Sequence, residues 1–203
     1  GTGNHAIVAY DTIIASGEYE PIAFLDYDVR SSTLLDLPVI KESNIQRLKD
    51  KNIKNINICL PNTTMEKKAA EKLRSMGFIL RNIIHPSAVV SNSATLGENT
   101  FIGPHAIVGP MAKISPFCRI LNAASVAHHC QLGNSVTIAD GARLAGNVTV
   151  GMESLIGIGA TVNKKICIGS GVIVVSNTGV YENIPNYSVL RHDGNIYPRK
   201  MIS

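Results

Sequence analysis

Residues 126–150 read VAHHCQLGNSVTIADGARLAGNVTV, and an aliphatic residue opens each six-residue segment of this stretch. The same spacing continues in both directions without a gap, giving sixteen aliphatic positions: Val90, Leu96, Ile102, Val108, Ile114, Ile120, Val126, Leu132, Ile138, Leu144, Val150, Ile156, Val162, Ile168, Val174 and Val180. A period of six fits neither an amphipathic helix nor a simply alternating strand. It is typical of a parallel solenoid in which each hexad supplies one short strand and one turn.

The hexads predict a triangular coil. Three hexads form one coil of eighteen residues, so the fifteen full hexads give five coils. We expect each aliphatic residue to point inward and to stack on its counterpart eighteen positions away. The residue four positions later, such as Cys130 or Ala142, would also point inward near a corner. The residue directly after the aliphatic one is often glycine, as at Gly133, which we attribute to the tight turn.

Composition and charge narrow the class of protein. The 203 residues suffice for one or two domains, and 45% hydrophobic with 17% charged residues is typical of a soluble globular protein. A net charge of +4, without clustered Lys, Arg and aromatic residues, argues against a nucleic-acid partner. We find no signal peptide or apolar run of transmembrane length, and predict no membrane insertion. Because the chain starts at Gly1 rather than Met, we expect some N-terminal sequence to be missing.

The four cysteines show no CxxC pairing: Cys59, Cys118, Cys130 and Cys167. Two of them occupy inward positions of the repeat. The pattern favours buried, reduced thiols in a cytoplasmic protein.

Residues 1–85 have a different pattern, in which helical and strand segments alternate. The helix candidates are 4–16, 42–51 and 64–76, and the strand candidates are 21–25, 38–40, 56–60 and 78–84. This alternation favours a small, Rossmann-like parallel α/β sheet. His85-Pro86 marks its end, because proline restricts the preceding residue to extended geometry.

The opening segment Gly1-Thr2-Gly3-Asn4-His5 is a candidate binding loop. It would join a missing first strand to the first helix, where anions and nucleotides bind. Asp26 ends a strand candidate about 20 residues further on, as recognition of a ribose requires. Gly1, Gly3, His5 and Asp26 are therefore the candidate substrate-binding residues. The alternatives are that the glycines form an ordinary turn and that Asp26 only caps one.

Several motifs together resemble a known enzyme family. They are the hexads, His85-Pro86-Ser87-Ala88, Val126-Ala127-His128-His129-Cys130 and Leu144-Ala145-Gly146-Asn147-Val148. These motifs resemble the bacterial sugar acetyltransferases of the sialic-acid O-acetyltransferase family, which includes UDP-4-amino-sugar N-acetyltransferases of glycan synthesis. The resemblance covers nearly the whole chain. It implies a left-handed parallel β-helix, a homotrimer, a nucleotide-sugar-binding N-terminal domain and acetyl-CoA as the donor.

The predicted organisation therefore has three parts. Residues 1–85 form the Rossmann-like nucleotide-sugar-binding domain, with its first strand missing. Residues 86–182 form the left-handed β-helix acetyltransferase domain, and residues 183–203 form a C-terminal tail.

His128 is the candidate general base. It occupies the third position of its hexad, near a corner and facing outward, and Gly146 follows eighteen residues later in the same column. The missing side chain at Gly146 would leave space for a thioester and offer a backbone N–H to its oxygen. Histidine titrates near neutral pH, as a base that deprotonates an acceptor hydroxyl or amine must. In the family the matching histidine is the base and the matching glycine binds acetyl-CoA. The alternative is an ordinary surface histidine.

His129 departs from the family pattern, which usually has Asp or Glu directly after the base, and Ala127 replaces a common Asn. A neutral or cationic neighbour would make His128 less basic than an acidic one would. We include His129 with His128 in the catalytic pair, with a spectator role as the alternative. The departure is compatible with a slower enzyme, an altered acceptor, or a base oriented by another carboxylate such as Asp140 or Glu153.

The remaining cofactor-binding candidates are Lys164, Lys165 and Ile158. Lys164 would lie two coils above His128, roughly 10 Å away at one inter-strand spacing per coil. In the family, acetyl-CoA lies along the coil axis between two subunits, so either lysine would meet its phosphates. Ile158 would line the pantetheine channel. A solvated pair of lysines in a turn is the alternative. Segment 185–200 lacks the Gly-x-Pro-Ala element that often ends such enzymes, so contacts to the adenine are not assigned.

We predict a cytoplasmic, acetyl-CoA-dependent transferase that acetylates the amino group of a nucleotide-linked amino sugar by direct transfer. The N-terminal domain would hold the sugar and direct its amine toward His128 at a subunit interface. The alternatives are an O-acetyltransferase of sialic-acid-like or other acceptors and a catalytically impaired scaffold protein. A carbonic anhydrase is excluded because His105 and the adjacent His128-His129 do not supply the separated histidines of its zinc site. We predict no metal.

Overall fold

The structure is a computed structural model that describes residues 1–60 and 62–199, and the chain divides into two units near residue 84. Unit 1 comprises Gly1–Ile83 and unit 2 begins at Ile84. Part of the predicted C-terminal tail, residues 200–203, lies outside the described residues.

Three helices belong to unit 1: Asn4–Ser16, Gln46–Asp50 and Thr63–Ser75. The first helix is confirmed as predicted, and it ends because Gly17 adopts a left-handed φ of 63° and its N–H bonds to the carbonyl oxygen of Ile14. The third helix begins after Asn62, whose side chain accepts a hydrogen bond from the N–H of Met65 at 3.0 Å.

The strands of unit 1 form two small sheets. Phe24–Asp26 pairs in parallel with Leu37–Lys41, and Asn55–Ile56 pairs in parallel with Ile79–Leu80. Strand Thr33–Leu34 pairs antiparallel with Leu37–Lys41 and was not predicted. Its two-residue hairpin turn, Leu35-Asp36, has φ values of 47° and 61° without the glycine or asparagine that usually signals such a turn.

Four predicted segments of unit 1 are shorter than expected. The strand expected at 21–25 is the three-residue strand Phe24–Asp26. Segment 42–51 begins as a 3₁₀ turn, Glu42–Asn44, before helix Gln46–Asp50. Segment 56–60 forms a strand only at Asn55–Ile56, and the side chain of the next residue, Asn57, donates to the carbonyl oxygen of Arg81 at 2.9 Å. Segment 78–84 divides into the short strands Ile79–Leu80 and Ile83–Ile84.

Unit 2 is a three-sided parallel β-helix, as the hexads predict. The first face contains Val89–Val90, Ile107–Val108, Ser125–Val126, Arg143–Leu144, Thr161–Val162 and Gly179–Val180. The second face contains Thr95–Leu96, Lys113–Ile114, Gln131–Leu132, Thr149–Val150 and Cys167–Ile168. The third face begins at strand Ile83–Ile84, within which the boundary between the two units falls. It continues with Phe101–Ile102, Arg119–Ile120, Thr137–Ile138, Leu155–Ile156, Ile173–Val174, Ser188–Leu190 and Ile196–Pro198.

The register of the β-helix is eighteen residues, so each aliphatic residue stacks on its counterpart in the next coil. On the third face Ile102, Ile120, Ile138 and Ile156 pair in sequence and are each 0% exposed. This continuous column of buried aliphatic side chains is the core of the unit, and its burial supplies the main driving force for folding.

The glycines directly after the aliphatic residues are not required by the turn conformation, contrary to our expectation. Every sixth residue from Asn99 to Asn177 has a left-handed φ, and that position is three after the aliphatic residue rather than directly after it. The glycine directly after the aliphatic residue is instead needed because the next coil passes close by. A Cβ at Gly133 would lie 2.7 Å from the backbone nitrogen of Met152.

Small polar side chains bridge the coils at the inward corner positions. Cys118, Cys130 and Ser154 donate to the backbone carbonyl fifteen residues ahead, at 3.1, 3.2 and 2.8 Å respectively. Burial raises the pKa of the Cys130 thiol, so it stays protonated and unreactive. All four cysteines are thiols rather than disulfides, but Cys167 is exposed, contrary to expectation, because it occupies the outward-facing first position of its strand.

The described part of the predicted tail continues the third face. Strand Ser188–Leu190 pairs in parallel with Ile173–Val174 and antiparallel with Ile196–Pro198. Within residues 1–60 and 62–199, no helix is long and apolar enough to cross a membrane.

Candidate active site

The first corner of the β-helix, which we define as Pro110, His128, Gly146 and Lys164, follows the strands of the first face. Val126 pairs with Leu144, and Leu144 pairs with Val162, so the residues two positions after each strand lie in one column. His128 is exposed at this corner. The structure thus brings His128, Gly146 and Lys164 together as the register predicts.

The imidazole ring of His128 lies directly against Gly146. A Cβ at position 146 would lie 2.5 Å from Nε2 and 3.1 Å from Nδ1 of His128, and closer still to Cε1. The space left by the missing side chain is therefore occupied by the ring itself, rather than left open for a thioester as expected. Glycine is needed at 146 because any other residue would displace this ring.

The backbone of Gly146 offers a donor at the same place. Its carbonyl oxygen accepts from the N–H of Lys165 at 3.1 Å, whereas its own N–H donates to no group among the residues that the structure describes. An unpaired amide beside an exposed imidazole can stabilise negative charge that develops on a reacting oxygen.

His129 is paired with His128. Their Nδ1 atoms are 3.1 Å apart, and the two rings meet edge to face with centroids 5.3 Å apart and an interplanar angle of 85°. The N–H of His129 donates to the carbonyl oxygen of Pro110 at 2.9 Å, which fixes its backbone with φ of 59°. The position that holds an acid in the resembling family therefore holds a second imidazole, in hydrogen-bond contact with the first.

Lys164 and Lys165 lie on the same corner and are both exposed. The N–H of Lys164 donates to the side-chain oxygen of Asn163 at 2.8 Å. Neither ammonium group forms a salt bridge with any residue of the described ranges, so both charges are available to an anion.

Ile158 lies at a different corner, which follows the third face and also carries Asp140. Ile138 pairs with Ile156, which puts Asp140 and Ile158 in one column, and Ile158 is 55% exposed. Glu153 lies at the remaining corner, after the second face. Within one chain, neither Ile158 nor the two carboxylates proposed to orient His128 share its corner.

Unit 1 contains a cavity of about 710 Å³, lined by both apolar and polar side chains. Gly1 and Asp26 contribute to the lining, as do Lys54, Asn57 and Arg81. A Cβ at Gly1 would lie 2.7 Å from the carbonyl oxygen of Cys59, so the loop passes close to that backbone.

Asp26 binds the glycine loop and caps the turn that follows its own strand. The hydroxyl of Thr2 donates to its Oδ2 at 2.5 Å, and the N–H of Asp28 donates to its Oδ1 at 3.2 Å. Partial burial raises the pKa of Asp26, but these hydrogen bonds outweigh that effect and the pKa lies below its ordinary value. The carboxylate is therefore charged at neutral pH and keeps lone pairs for a further donor.

Gly3 and His5 lie at the start of the first helix rather than in the cavity lining. Gly3 is the N-terminal cap, and its carbonyl oxygen accepts from the N–H of Ala6 at 2.8 Å. His5 is half-buried in the first turn.

Comparison with known proteins finds two family models that match separate parts of the chain. Residues 1–73 match the PglD N-terminal domain, and residues 78–190 match the GMPPB C-terminal domain, which is more than half of the chain. The acetyltransferase domain of PglB from Neisseria gonorrhoeae FA1090, solved in complex with acetyl coenzyme A, is 30% identical with a TM-score of 0.88. That alignment covers 98% of this chain and 96% of PglB's domain. The chain belongs to the hexapeptide-repeat sugar acetyltransferases.

Two further solved structures resemble this acetyltransferase. PerB from Caulobacter crescentus, in complex with CoA and GDP-perosamine, is 28% identical with a TM-score of 0.87, covering 97% of this chain and 94% of PerB. WeeI from Acinetobacter baumannii AYE is 21% identical with a TM-score of 0.76, covering 97% and 95%, and shows the fold alone. No curated protein matches the sequence. These relatives confirm a left-handed parallel β-helix preceded by a small α/β region.

The acetyltransferase also has a groove that the sequence did not predict. It has a volume of about 380 Å³, lies on the first face beside the first corner, and is lined by Arg143, Leu144, Ala145, Thr161, Val162, Asn163, Val180 and Tyr181. The ring of Tyr181 packs over Gly179, where a Cβ would lie 2.7 Å from the tyrosine hydroxyl. The outward-facing Arg143 and Thr161, which open strands of this face, were the only available signal.

No cluster of three or more His, Cys, Asp or Glu side chains capable of holding a metal ion occurs in residues 1–60 and 62–199.

Proposed function

We propose that the enzyme transfers the acetyl group of acetyl-CoA to the amino group of a nucleotide-linked amino sugar of bacterial surface glycan synthesis. The observation that carries the proposal is the packing of the His128 imidazole beneath Gly146, beside an unpaired backbone N–H. PglB's domain with acetyl coenzyme A and PerB with CoA and GDP-perosamine support the choice of donor and acceptor.

The residues of the first corner fit the chemistry of direct transfer. His128 accepts through Nε2 the proton that the sugar amine loses as it attacks the acetyl carbonyl carbon. The N–H of Gly146 donates to the carbonyl oxygen as negative charge develops there. Acetyl-CoA supplies the activated acyl group, and the proton leaves with the released thiol. The exposed ammonium groups of Lys164 and Lys165 suit the donor's phosphates.

The acceptor's nucleotide is proposed to bind in unit 1. The charged Asp26 can accept hydrogen bonds from ribose hydroxyls, and the loop of Gly1 and Gly3 leads into the N-terminus of the first helix, whose positive end attracts phosphate. His5, in the first turn of that helix, completes the proposed binding set. The cavity of about 710 Å³ falls in the range that small-molecule sites occupy.

A homotrimer is part of the proposal. Ile158 and Asp140 lie on a corner other than that of His128, so a pantetheine channel containing both corners requires a second copy of the chain. Exposed apolar residues of the first face, Val89 at 63% and Ile107 at 45%, are suited to burial against such a copy. We further propose that the chain belongs to the sialic-acid O-acetyltransferase branch and is cytoplasmic.

To test the proposal, the release of the CoA thiol is measured with acetyl-CoA as the donor and GDP-, UDP- and CMP-linked amino sugars as acceptors. Each amino sugar is compared with the sugar that has a hydroxyl in place of the amino group. Turnover should require the amino sugar and fall by about 10²–10⁴-fold in His128→Ala, with little change in acetyl-CoA binding. If only the hydroxyl sugars were acetylated, the enzyme would be an O-acetyltransferase and the proposed N-acetylation would be wrong. Turnover unchanged in His128→Ala, or absent with every acceptor, would overturn the proposal.

A further inference from the structure

The contact between the two histidines allows only one proton between them. Each neutral imidazole has one N–H and one lone pair, and at a separation of 3.1 Å one Nδ1 must donate to the other. No other hydrogen bond to either ring is formed by a side chain in the described part of the protein. The tautomers of His128 and His129 are therefore coupled.

The two possible arrangements differ in chemistry. When His128 carries the Nδ1–H and donates it to His129, its Nε2 has a lone pair and can accept a proton. When His129 donates instead, a neutral His128 carries its proton on Nε2 and cannot act as a base there. The position of the shared proton thus decides whether His128 is in its reactive form.

We propose that His129 is a positioning residue that holds His128 in the reactive tautomer by accepting its Nδ1–H. This inference rests on the proposed role of His128 as the base. As His128 takes the amine's proton on Nε2, it becomes a cation whose Nδ1–H bonds more strongly to the neutral His129. The proton on Nε2 then passes to the departing thiolate, which restores the same tautomer.

The backbone at position 129 explains why histidine can fill this role. Its φ of 59° lies in the left-handed region, where Asn, Asp and His are enriched among residues other than glycine. The bond from its N–H to the carbonyl oxygen of Pro110 holds that conformation. Asn and Asp can therefore replace His129 with little backbone strain. They differ in the hydrogen-bonding groups that they offer to His128 and in the negative charge that Asp adds.

His129→Asn and His129→Asp form a matched pair for the test. Asp presents acceptor oxygens alone and selects the Nδ1–H tautomer, whereas Asn presents both a donor and an acceptor and selects neither. We expect His129→Asn to lower kcat by about 10–100-fold with KM for acetyl-CoA within about 2-fold, and His129→Asp to restore kcat to within about 5-fold of the parent.

Nitrogen NMR of histidine-labelled protein provides a readout independent of turnover. The parent should show a protonated Nδ1 and an unprotonated Nε2 on His128, assigned by comparison with His128→Ala. A parent ring protonated at Nε2, an unchanged kcat in His129→Asn, or equal losses in both variants would each overturn the proposal. Because the NMR result needs no substrate, it stands even if the acceptor or the reaction is assigned wrongly.

Discussion

Replacing Gly146 by alanine should reduce activity by displacing the His128 ring while leaving the fold intact. The new Cβ would lie 2.5 Å from Nε2 and closer still to Cε1, whereas ordinary contacts begin at 3.4 Å, so the ring must retreat by at least about 0.9 Å. A misplacement of about 1 Å in a reacting group reduces rate by about 10²-fold, equivalent to about 2.7 kcal/mol in the activation free energy. The atoms that move belong to a side chain, which can rotate toward solvent.

The fold should tolerate Gly146→Ala because the φ of Gly146 lies outside the left-handed region. Alanine at such a position commonly raises stability by about 0.4–1 kcal/mol. We therefore expect kcat to fall by about 10²-fold, an unchanged or raised Tm, and little change in KM for acetyl-CoA, since the N–H of residue 146 remains. Steady-state thiol release and thermal unfolding measure these quantities.

Gly133→Ala is the matched control, since Gly133 lies at another corner. Its Cβ would meet the backbone nitrogen of Met152 at 2.7 Å, which cannot rotate away. This variant should lose about 1–3 kcal/mol of stability and keep its kcat below its Tm. In a His128→Ala background, Gly146→Ala should add no further loss. A kcat of Gly146→Ala within about 3-fold of the parent would refute the role of the His128 ring. So would a further loss of activity from Gly146→Ala in the His128→Ala background equal to its loss in the parent.

Three other predictions concern stability, reactivity and binding. Ser154→Ala should lower the free energy of unfolding in urea by about 1–3 kcal/mol, because the buried N–H of Val172 donates to Ser154 at 3.0 Å and would lose its acceptor. Ser154→Cys should lower it less, and equal losses in the two variants would contradict this role of the Ser154 hydroxyl. Iodoacetamide near neutral pH should label the exposed Cys167 first. Cys130 should stay unmodified until the protein unfolds, because burial raises its pKa and keeps the thiol protonated; peptide mass spectrometry measures both. Asp26→Asn should raise the Kd for the nucleotide sugar about 10-fold in calorimetry, whereas a lowered Tm with unchanged Kd would leave Asp26 only its turn-capping role.

The β-helix was predictable because each hexad repeats one physical constraint. An aliphatic residue every six positions is buried only if three strands close a coil, and eighteen-residue stacking then follows. The turn conformation was not visible in the sequence. Left-handed φ values fall on residues such as Met111, Phe117 and Lys165, because the stacked coils impose a conformation that these residues would not choose alone.

Unit 1 was less predictable because its elements depend on single side chains. The first helix has a periodic apolar face and a glycine at its end, so its bounds agree with the prediction. The hairpin turn at Leu35-Asp36 has no such signal, and the strand before Asn57 ends where that side chain donates to the carbonyl oxygen of Arg81. Intrinsic strand and turn propensities do not predict features that depend on such tertiary contacts.

At the candidate site, the repeat fixed which residues share a corner but not where their side chains point. Position 146 was expected to leave open space, and the His128 ring fills it. His129 was expected to weaken the base as a neutral or cationic neighbour, yet its Nδ1 lies 3.1 Å from that of His128. A neutral imidazole with its lone pair directed at His128 supplies the acceptor that a carboxylate would supply, without adding charge. Losing the acid therefore does not by itself mean losing the base's orientation, which is why His129→Asp and His129→Asn should differ.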